Sequence, residues 1–316
     1  MQALTKSLRV CVGWATAAAV IAAVAAVGLG AAAEGARTIP ADGAGATNQG
    51  TIYAAVANAK GEPVLGLTAG DFAIQVAGHA RPVTSAEAAS DPLAIVLVVD
   101  GLGIERMQQV HLALRSVVDL IARSEPQARI GIENPPSALT MRTAGAAAAD
   151  LAKDAQVYSP DPDAGPLVER LPGIATTLAN EPTKRRVILA LTAPATDGGR
   201  HAPADLVDAV RRSNVQVWNV ELETHADLSP EVAAARNTDL DNVLIDLAAK
   251  SGGRRDMAYG PALIDTVTQQ TTRLLLSEYL LTYERDETSP STPLRVGVRT
   301  TMHGVQVLAP GWIGSK

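Results

Sequence analysis

The sequence predicts an α/β protein with a doubly wound, mostly parallel sheet, flanked by a small antiparallel β unit built from both ends of the chain. Residues 93–100 form a run of seven apolar residues closed by an acid, typical of a strand buried on both faces of a sheet. From residue 93 to residue 276, strand patterns alternate with helical patterns, which indicates parallel pairing through crossover helices. Short alternating strands before residue 90 and after residue 278 indicate the antiparallel unit.

Residues 1–33 have the features of a targeting segment. Lys6 and Arg9 precede an uninterrupted stretch of apolar or small residues from Val10 to Leu29, and three alanines at 31–33 offer a cleavage site. The stretch is also long enough to span a bilayer, so an uncleaved signal anchor is the alternative to a cleaved signal peptide. In both cases we expect the globular part to be exported, as a periplasmic, secreted or membrane-anchored domain outside the cytoplasm.

The composition limits the classes of partner and chemistry. The chain of 316 residues is 47% hydrophobic and 19% charged, which suffices for a full-sized core. A formal net charge of −6 without a basic patch argues against nucleic acid as a partner. The single cysteine, Cys11, lies in the targeting segment, so we expect neither disulfides nor thiol chemistry in the exported part.

The chain before the central strand divides into a linker and a β unit. Residues 34–50 are rich in glycine and alanine and predict a flexible linker. Residues 51–90 predict an N-terminal β unit, which is too small to be stable alone. We expect residues 278–313 to complete it. The strands expected in the two segments are 51–58, 72–76, 82–84, 279–283, 294–298 and 304–308.

Residues 91–277 are expected to form the α/β domain, with amphipathic helices between buried strands. The helix after the central strand is clearest, because its apolar residues recur every three or four positions. The expected strands are 93–100, 129–132, 137–142, 186–192, 215–220 and 254–257. The expected helices are 105–123, 144–153, 167–180, 204–212, 240–250 and 264–276.

One motif before this domain and one near its end indicate a family. Residues 60–72, KGEPVLGLTAGDF, are similar to the pattern G-x-P-V-x-G-L-T-x-x-D-F, and residues 248–254, AAKSGGR, are similar to A-x-x-T-G-G-R. Residues 276–283, 294–298 and 311–313 look like closing strands of the same arrangement. These patterns belong to the von Willebrand factor A (VWFA)-related family of exported bacterial proteins, prominent in acidobacteria, which the chain resembles over most of residues 51–313.

The resemblance implies a site that the residues of this chain contradict. A-type domains commonly hold a divalent cation at a metal-ion-dependent adhesion site, with oxygen ligands from D-x-S-x-S, a middle-loop threonine and a later aspartate. Asp100 matches the first aspartate, but Leu102 and Ile104 replace the two serines and Ala193 replaces the later aspartate. No G-G-T precedes the helix that begins at Leu167. The sequence therefore predicts a degenerate site that binds no metal, and no cofactor.

The loops at the carboxyl ends of the strands form the expected ligand-binding rim, because ligands of open α/β sheets bind there. Leu102 and Ile104 are expected to fill the space left by the missing ligands or, if exposed, to contact a partner. Asp161, Asp163 and Asp197 leave a displaced acidic metal site open, although turn formation explains them as well. The candidate rim residues are Asp100, Gly101, Leu102, Gly103, Ile104, Asp161, Asp163, Ala193 and Asp197.

Other chemistry has little support in the sequence. Gly101 and Gly103 lack the third glycine and the lysine that phosphate-binding loops use, so we expect no nucleotide. The histidines are scattered without ligand spacing, and no G-x-S-x-G elbow occurs. We therefore expect no catalytic residues.

The function predicted from these observations is an exported, non-enzymatic, adhesion-type module that binds a protein or a cell-envelope component. The alternatives are a ligand-binding domain that depends on Mg²⁺ or another divalent cation, an enzyme that uses the acidic rim, and a purely structural envelope component.

Overall fold

The computed structural model describes residues 49–313, except for 136, 160, 162, 195–202, 225–226, 228, 236–237 and 286–292. The predicted targeting segment, residues 34–48 of the predicted linker, and Asp197 lie outside the described residues. Residues 49 and 50 were predicted as linker, but they begin the first strand. Within the described ranges, no helix has the length and apolar character needed to cross a bilayer.

The secondary structure follows the predicted alternation. The strands are β1 (Gln49–Asn58), β2 (Phe72–Val76), β3 (His79–Arg81), β4 (Val83–Ala88), β5 (Leu93–Asp100), β6 (Arg129–Ile132), β7 (Arg142–Thr143), β8 (Arg185–Thr192), β9 (Val215–Glu223), β10 (Arg255–Tyr259), β11 (Tyr279–Glu284), β12 (Leu294–Thr300), β13 (Val305–Leu308) and β14 (Trp312–Ile313). The helices are α1 (Met107–Ser124), α2 (Ala148–Val157), α3 (Leu167–Ala179), α4 (Pro203–Ser213), α5 (Pro230–Ala235), α6 (Thr238–Ser251) and α7 (Ile264–Leu276).

A six-stranded sheet forms the centre, in the order β10-β9-β8-β5-β6-β7. All neighbours in it are parallel except β6 and β7, which pair antiparallel. The side chains of β5 alternate between two cores because successive residues of a strand point to opposite faces. Leu93, Ile95, Leu97 and Val99 join a core with α1, α2 and α7, whereas Ala94, Val96 and Val98 join a core with α3, α4 and α6. This arrangement confirms the doubly wound α/β class.

The antiparallel unit is assembled from both ends of the domain, as the sequence predicts. Its two sheets have the orders β13-β1-β11-β4 and β14-β12-β2-β3, and they enclose a third apolar core. The amino-terminal strand β1 pairs antiparallel with β11 along one edge and with β13 along the other. Because Ala55 and Ala57 of β1 lie in the first α/β core, the unit packs directly on the central domain.

Several short elements differ from prediction, among them β3, which was not predicted, and β4, which extends to Ala88. The edge strand expected at 137–142 is the two-residue β7, which pairs with β6. The helix expected at 144–153 is observed at Ala148–Val157. Residues 144–147 form a turn, in which the Ala144 N–H donates to Ala128 O (2.7 Å). Helix α5 was not predicted. Its six residues are too few for a periodic pattern.

Candidate rim site

The loops after β5 and β8 meet at the carboxyl edge of the central sheet. The Ala193 N–H donates to the backbone oxygen of Asp100 (3.0 Å), which extends the ladder between the two strands by one residue. Gly101 has φ +67°, and a Cβ at this position would lie 3.3 Å from the Ala193 methyl group. The two loops predicted to form the rim are therefore in contact.

Leu102 and Ile104 have opposite environments. The Leu102 side chain is 2% exposed and belongs to the core that contains Val99, so it does not face a ligand. Ile104, in a short 3₁₀ helix at 104–106, is 82% exposed. Leu102 was expected either to fill the space left by the missing ligands or to contact a partner, and its burial agrees with the first role. The prediction that Ile104 fills space as well is wrong, because its side chain points into solvent.

An arginine that the sequence analysis did not single out contacts the central aspartate. Arg170 of α3 donates from Nη2 to Asp100 Oδ1 (2.5 Å) and to the backbone oxygen of Val99 (3.2 Å). Its other terminal nitrogen, Nη1, pairs with the carboxylate of Glu133, the residue that follows β6. One guanidinium thus joins the carboxyl ends of the neighbouring strands β5 and β6. Charge-assisted pairs of this kind are directional as well as strong.

Burial shapes the protonation of the groups around Arg170. Desolvation raises the pKa of Glu133, and the nearby Asp100 carboxylate adds to this effect, while Arg170 opposes it. Desolvation likewise raises the pKa of Tyr158 to about 12. The Tyr158 hydroxyl donates to the backbone oxygen of Val99 (3.4 Å) and is neutral at physiological pH. The cluster therefore combines one cation, two carboxyl groups and one neutral phenol.

A second arginine fixes the far end of the same loop. Arg106 Nη2 lies 3.3 Å from Thr224 Oγ1 and 3.2 Å from the Asp227 carboxylate oxygens, both in the segment after β9. That carboxylate also accepts the backbone N–H (2.7 Å) and the hydroxyl (2.6 Å) of Thr224. Burial raises the pKa of Asp227, but the bonds from Thr224 and Arg106 outweigh it and hold the pKa below its ordinary value.

The acidic residues of the middle loop form a turn. Asp161 Oδ1 accepts the backbone N–H of Asp163 (2.9 Å), and the Ala164 N–H donates to Asp161 O (3.2 Å). This geometry agrees with the turn interpretation of the two aspartates. Asp197, the third member of the displaced acidic site, lies outside the described residues.

With Arg170 in place, the residues at Asp100 do not fit a divalent cation. Mg²⁺ requires octahedral coordination by oxygen ligands. Here Leu102 and Ala193 offer no side-chain oxygen, and the Asp100 carboxylate is already bound by the Arg170 guanidinium. In the part of the chain that the structure describes, no cluster of three histidine, cysteine, aspartate or glutamate side chains has a spacing that suits a metal ion.

Two signals in the sequence point to Arg170 and Glu133. Arg170 lies three residues after Leu167 and four before Ile174, on the apolar stripe of its helix, where a charged residue needs a partner. Glu133 follows strand β6 directly, and Asp100 is the last residue of β5. Both signals indicate burial of charge, but only the fold shows which charges meet.

The comparisons with known proteins are limited to fold-level similarity. No protein-family model matches the chain, and no curated protein matches its sequence.

Several solved structures match at low similarity. A von Willebrand factor type A protein from Catenulispora acidiphila matches with 12% identity and a TM-score of 0.39, over 85% of this chain and 74% of that one. The conserved hypothetical protein BatB from Bacteroides thetaiotaomicron matches with 12% identity and a TM-score of 0.38, over 58% and 98% of the two chains. An aerotolerance-related membrane protein from Bacteroides fragilis, solved with multiple mutations to serine, matches with 9% identity and a TM-score of 0.39, over 58% and 98%. At such values the fold class rests on the strand order of the chain itself, and the family is a proposal.

Proposed function

We propose that the chain is an exported, non-enzymatic protein-interaction module of the von Willebrand factor A type, which binds a protein or cell-envelope component at its rim without a bridging divalent cation. The observation that carries the proposal is the loop at residues 100–106. This loop presents the exposed Ile104 between two anchored ends.

The two anchors come from ion pairs on opposite sides of the loop. Asp100, at its start, is held by Arg170 of α3, and Arg106, at its end, is held by Asp227 beyond β9. An apolar side chain on a loop that is already ordered loses little conformational freedom when a partner covers it. Such side chains are suitable anchors for a protein interface.

The chemistry of the described rim supports binding better than catalysis. Arg106 and Arg170 are bound in guanidinium–carboxylate pairs, and the Asp161 carboxylate accepts a backbone N–H of its own turn. Tyr158, with its raised pKa, stays protonated. The rim therefore offers shape, hydrogen bonds and one exposed aliphatic group. Export rests on the pattern of residues 1–33, and the family assignment rests on the motifs at 60–72 and 248–254 together with the doubly wound sheet.

Site-specific photo-crosslinking tests the proposal. A photoreactive amino acid replaces Ile104 in the full chain, and a matched chain carries it at Leu65, which is 69% exposed in the antiparallel unit. After incubation with envelope extract of the producing cell, we expect a defined protein adduct from position 104 and none from position 65. Excess wild-type chain should suppress the adduct, whereas excess Ile104→Asp chain should not.

The same experiment decides between the proposal and its main alternative. If the rim binds without a cation, EDTA leaves the adduct from position 104 unchanged. Loss of the adduct in EDTA supports the cation-dependent ligand-binding domain instead. Equal adducts from positions 104 and 65 would contradict a role of the rim in binding.

A further inference from the structure

Three oxygen atoms of the rim converge on one guanidinium. Asp100 Oδ1 and the backbone oxygen of Val99 lie 2.5 and 3.2 Å from Arg170 Nη2, and the Glu133 carboxylate contacts Nη1. The oxygens belong to the carboxyl ends of two adjacent parallel strands, whereas the guanidinium comes from a helix on one face of the sheet. The strands therefore form a cradle of oxygen atoms, and the helix supplies the cation.

The charges in this cradle require a cation. Asp100 and Glu133 bring two carboxyl groups to the edges of a single guanidinium. The Glu133 and Arg170 side chains are only 10% and 11% exposed, and that of Asp100 is 26% exposed. Carboxylates removed from water in this way are costly unless an opposite charge compensates them. Arg170 is the cation that the structure provides.

We infer that the Arg170 guanidinium takes the place of a divalent cation at this rim, because it joins the carboxyl ends of β5 and β6 and excludes a metal ion from the same three oxygens. The inference deepens the proposed function and rests on it for the identity of the binding surface. It explains how the loop that presents Ile104 is fixed without metal.

The test removes the guanidinium and offers a metal ion. In the wild-type chain we expect the Tm in EDTA and in millimolar MnCl₂ to be equal. The Arg170→Ala chain should melt roughly 10 °C lower in EDTA, because two carboxyl groups lose their partner. Added Mn²⁺ should recover several degrees of that loss, since a ligand that binds only the native state stabilises it by mass action.

Electron paramagnetic resonance of Mn²⁺ measures binding directly. We expect about one Mn²⁺ bound per Arg170→Ala chain and none per wild-type chain. A double variant, Arg170→Ala with Glu133→Gln, should lose the bound Mn²⁺. Arg106→Ala is the matched control, because it removes the rim arginine that pairs with one partly buried carboxylate, Asp227, and with the exposed Glu105. It should lower the Tm without any response to Mn²⁺.

Two experimental results would each overturn the inference. It is overturned if the wild-type chain binds Mn²⁺ and Asp100→Asn abolishes that binding, or if the folded Arg170→Ala chain binds no Mn²⁺. Should Arg170→Ala not fold, Arg170→Gln, which keeps most of the side-chain volume, is titrated in the same way and judged by the same result. These measurements involve no partner, so their failure is distinct from failure of the crosslinking experiment.

Discussion

Leu102 and Ile104 lie two positions apart in one loop, yet one is in the core and the other is in solvent. In the sequence the two residues look equivalent, because both replace hydroxyl residues of the family pattern. The backbone separates them: Gly101 turns the chain, Leu102 points back towards the core of β5, and the 3₁₀ helix carries Ile104 outward.

Truncation of the Leu102 and Ile104 side chains should therefore lower the free energy of unfolding by different amounts. Leu102→Ala is expected to lower the free energy of unfolding by about 2–5 kcal/mol, because it opens a cavity in the core. Ile104→Ala should change it by no more than about 0.5 kcal/mol. Urea unfolding of both variants measures the difference. Equal effects would show that the burial assigned to Leu102 is incorrect.

Asp227 gives a prediction for pH dependence. Its pKa is lower in the folded than in the unfolded chain, so its contribution to stability is present above the ordinary value of 3.8 and is lost as the pH falls through the lowered pKa. Asp227→Asn should thus reduce the Tm at pH 7, and the difference from wild type should shrink at acidic pH. Asp119, in an exposed pair with Arg115, is the control, and Asp119→Asn should have little effect at any pH. A difference for Asp227→Asn that grows towards acid pH would contradict the assigned role.

At the scale of elements, close packing around the end of α6 explains the two glycines in the motif at 248–254. Ser251 Oγ accepts the backbone N–H of Val217 in β9 (2.8 Å), which brings the helix end against the strand. Gly252 has φ +94°, and a Cβ there would lie 2.7 Å from the backbone nitrogen of Pro310. A Cβ on Gly253 would overlap the Val217 carbonyl oxygen. Only hydrogen atoms fit where helix, strand and C-terminal segment meet.

Alanine at Gly253 should therefore be destabilising by about 1–3 kcal/mol, because the backbone of a central strand has to move. Gly173 is a matched control inside α3, where an added Cβ meets nothing within 4 Å. Gly173→Ala should be neutral or should stabilise by up to about 1 kcal/mol, through its better helix propensity. Thermal denaturation of both variants tests the pair. The close approach at Gly253 would be refuted by a Tm equal to that of wild type.

At the scale of the whole molecule, the two edges of the central sheet differ: one carries a buried ion-pair network and the other carries the rim. At the amino edge, the fully buried Arg185 of β8 binds the fully buried Glu278, the partly exposed Glu125 and the backbone oxygen of Leu275. Burial lowers the pKa of Arg185, but the two glutamates outweigh it and the pKa is raised, so the arginine stays charged. This network lies where α7 leads into the antiparallel unit. The carboxyl edge carries the rim proposed to bind a partner.

Removal of one partner of the buried Arg185–Glu278 pair should destabilise the fold. Arg185→Met is expected to reduce the free energy of unfolding by about 3–5 kcal/mol, since Glu278 loses its compensating charge. Arg185→Met combined with Glu278→Leu should recover part of this loss, although Gln216, which donates to Glu278 (2.6 Å), then loses its acceptor. A double-mutant cycle by urea unfolding measures the coupling. Additive single effects would contradict a shared network.

Sequence alone determined the layout of the fold. The buried run at 93–100, the alternation of strands and helices and the short strands at both ends are local patterns of hydrophobicity, and local patterns fix element type and burial. Elements shorter than about two helical turns, such as α5, escape this reasoning because they contain too few residues to show a period.

Only the tertiary structure decided the chemistry of the rim. Asp100 and Glu133 meet Arg170 across 70 and 37 positions of the chain, and Arg106 meets Asp227 across 121. No spacing in the sequence encodes such encounters, because they depend on which crossover helix lies over which strand end. The sequence thus predicted Asp100 as a residue of the rim, and the fold supplied the cation that binds it.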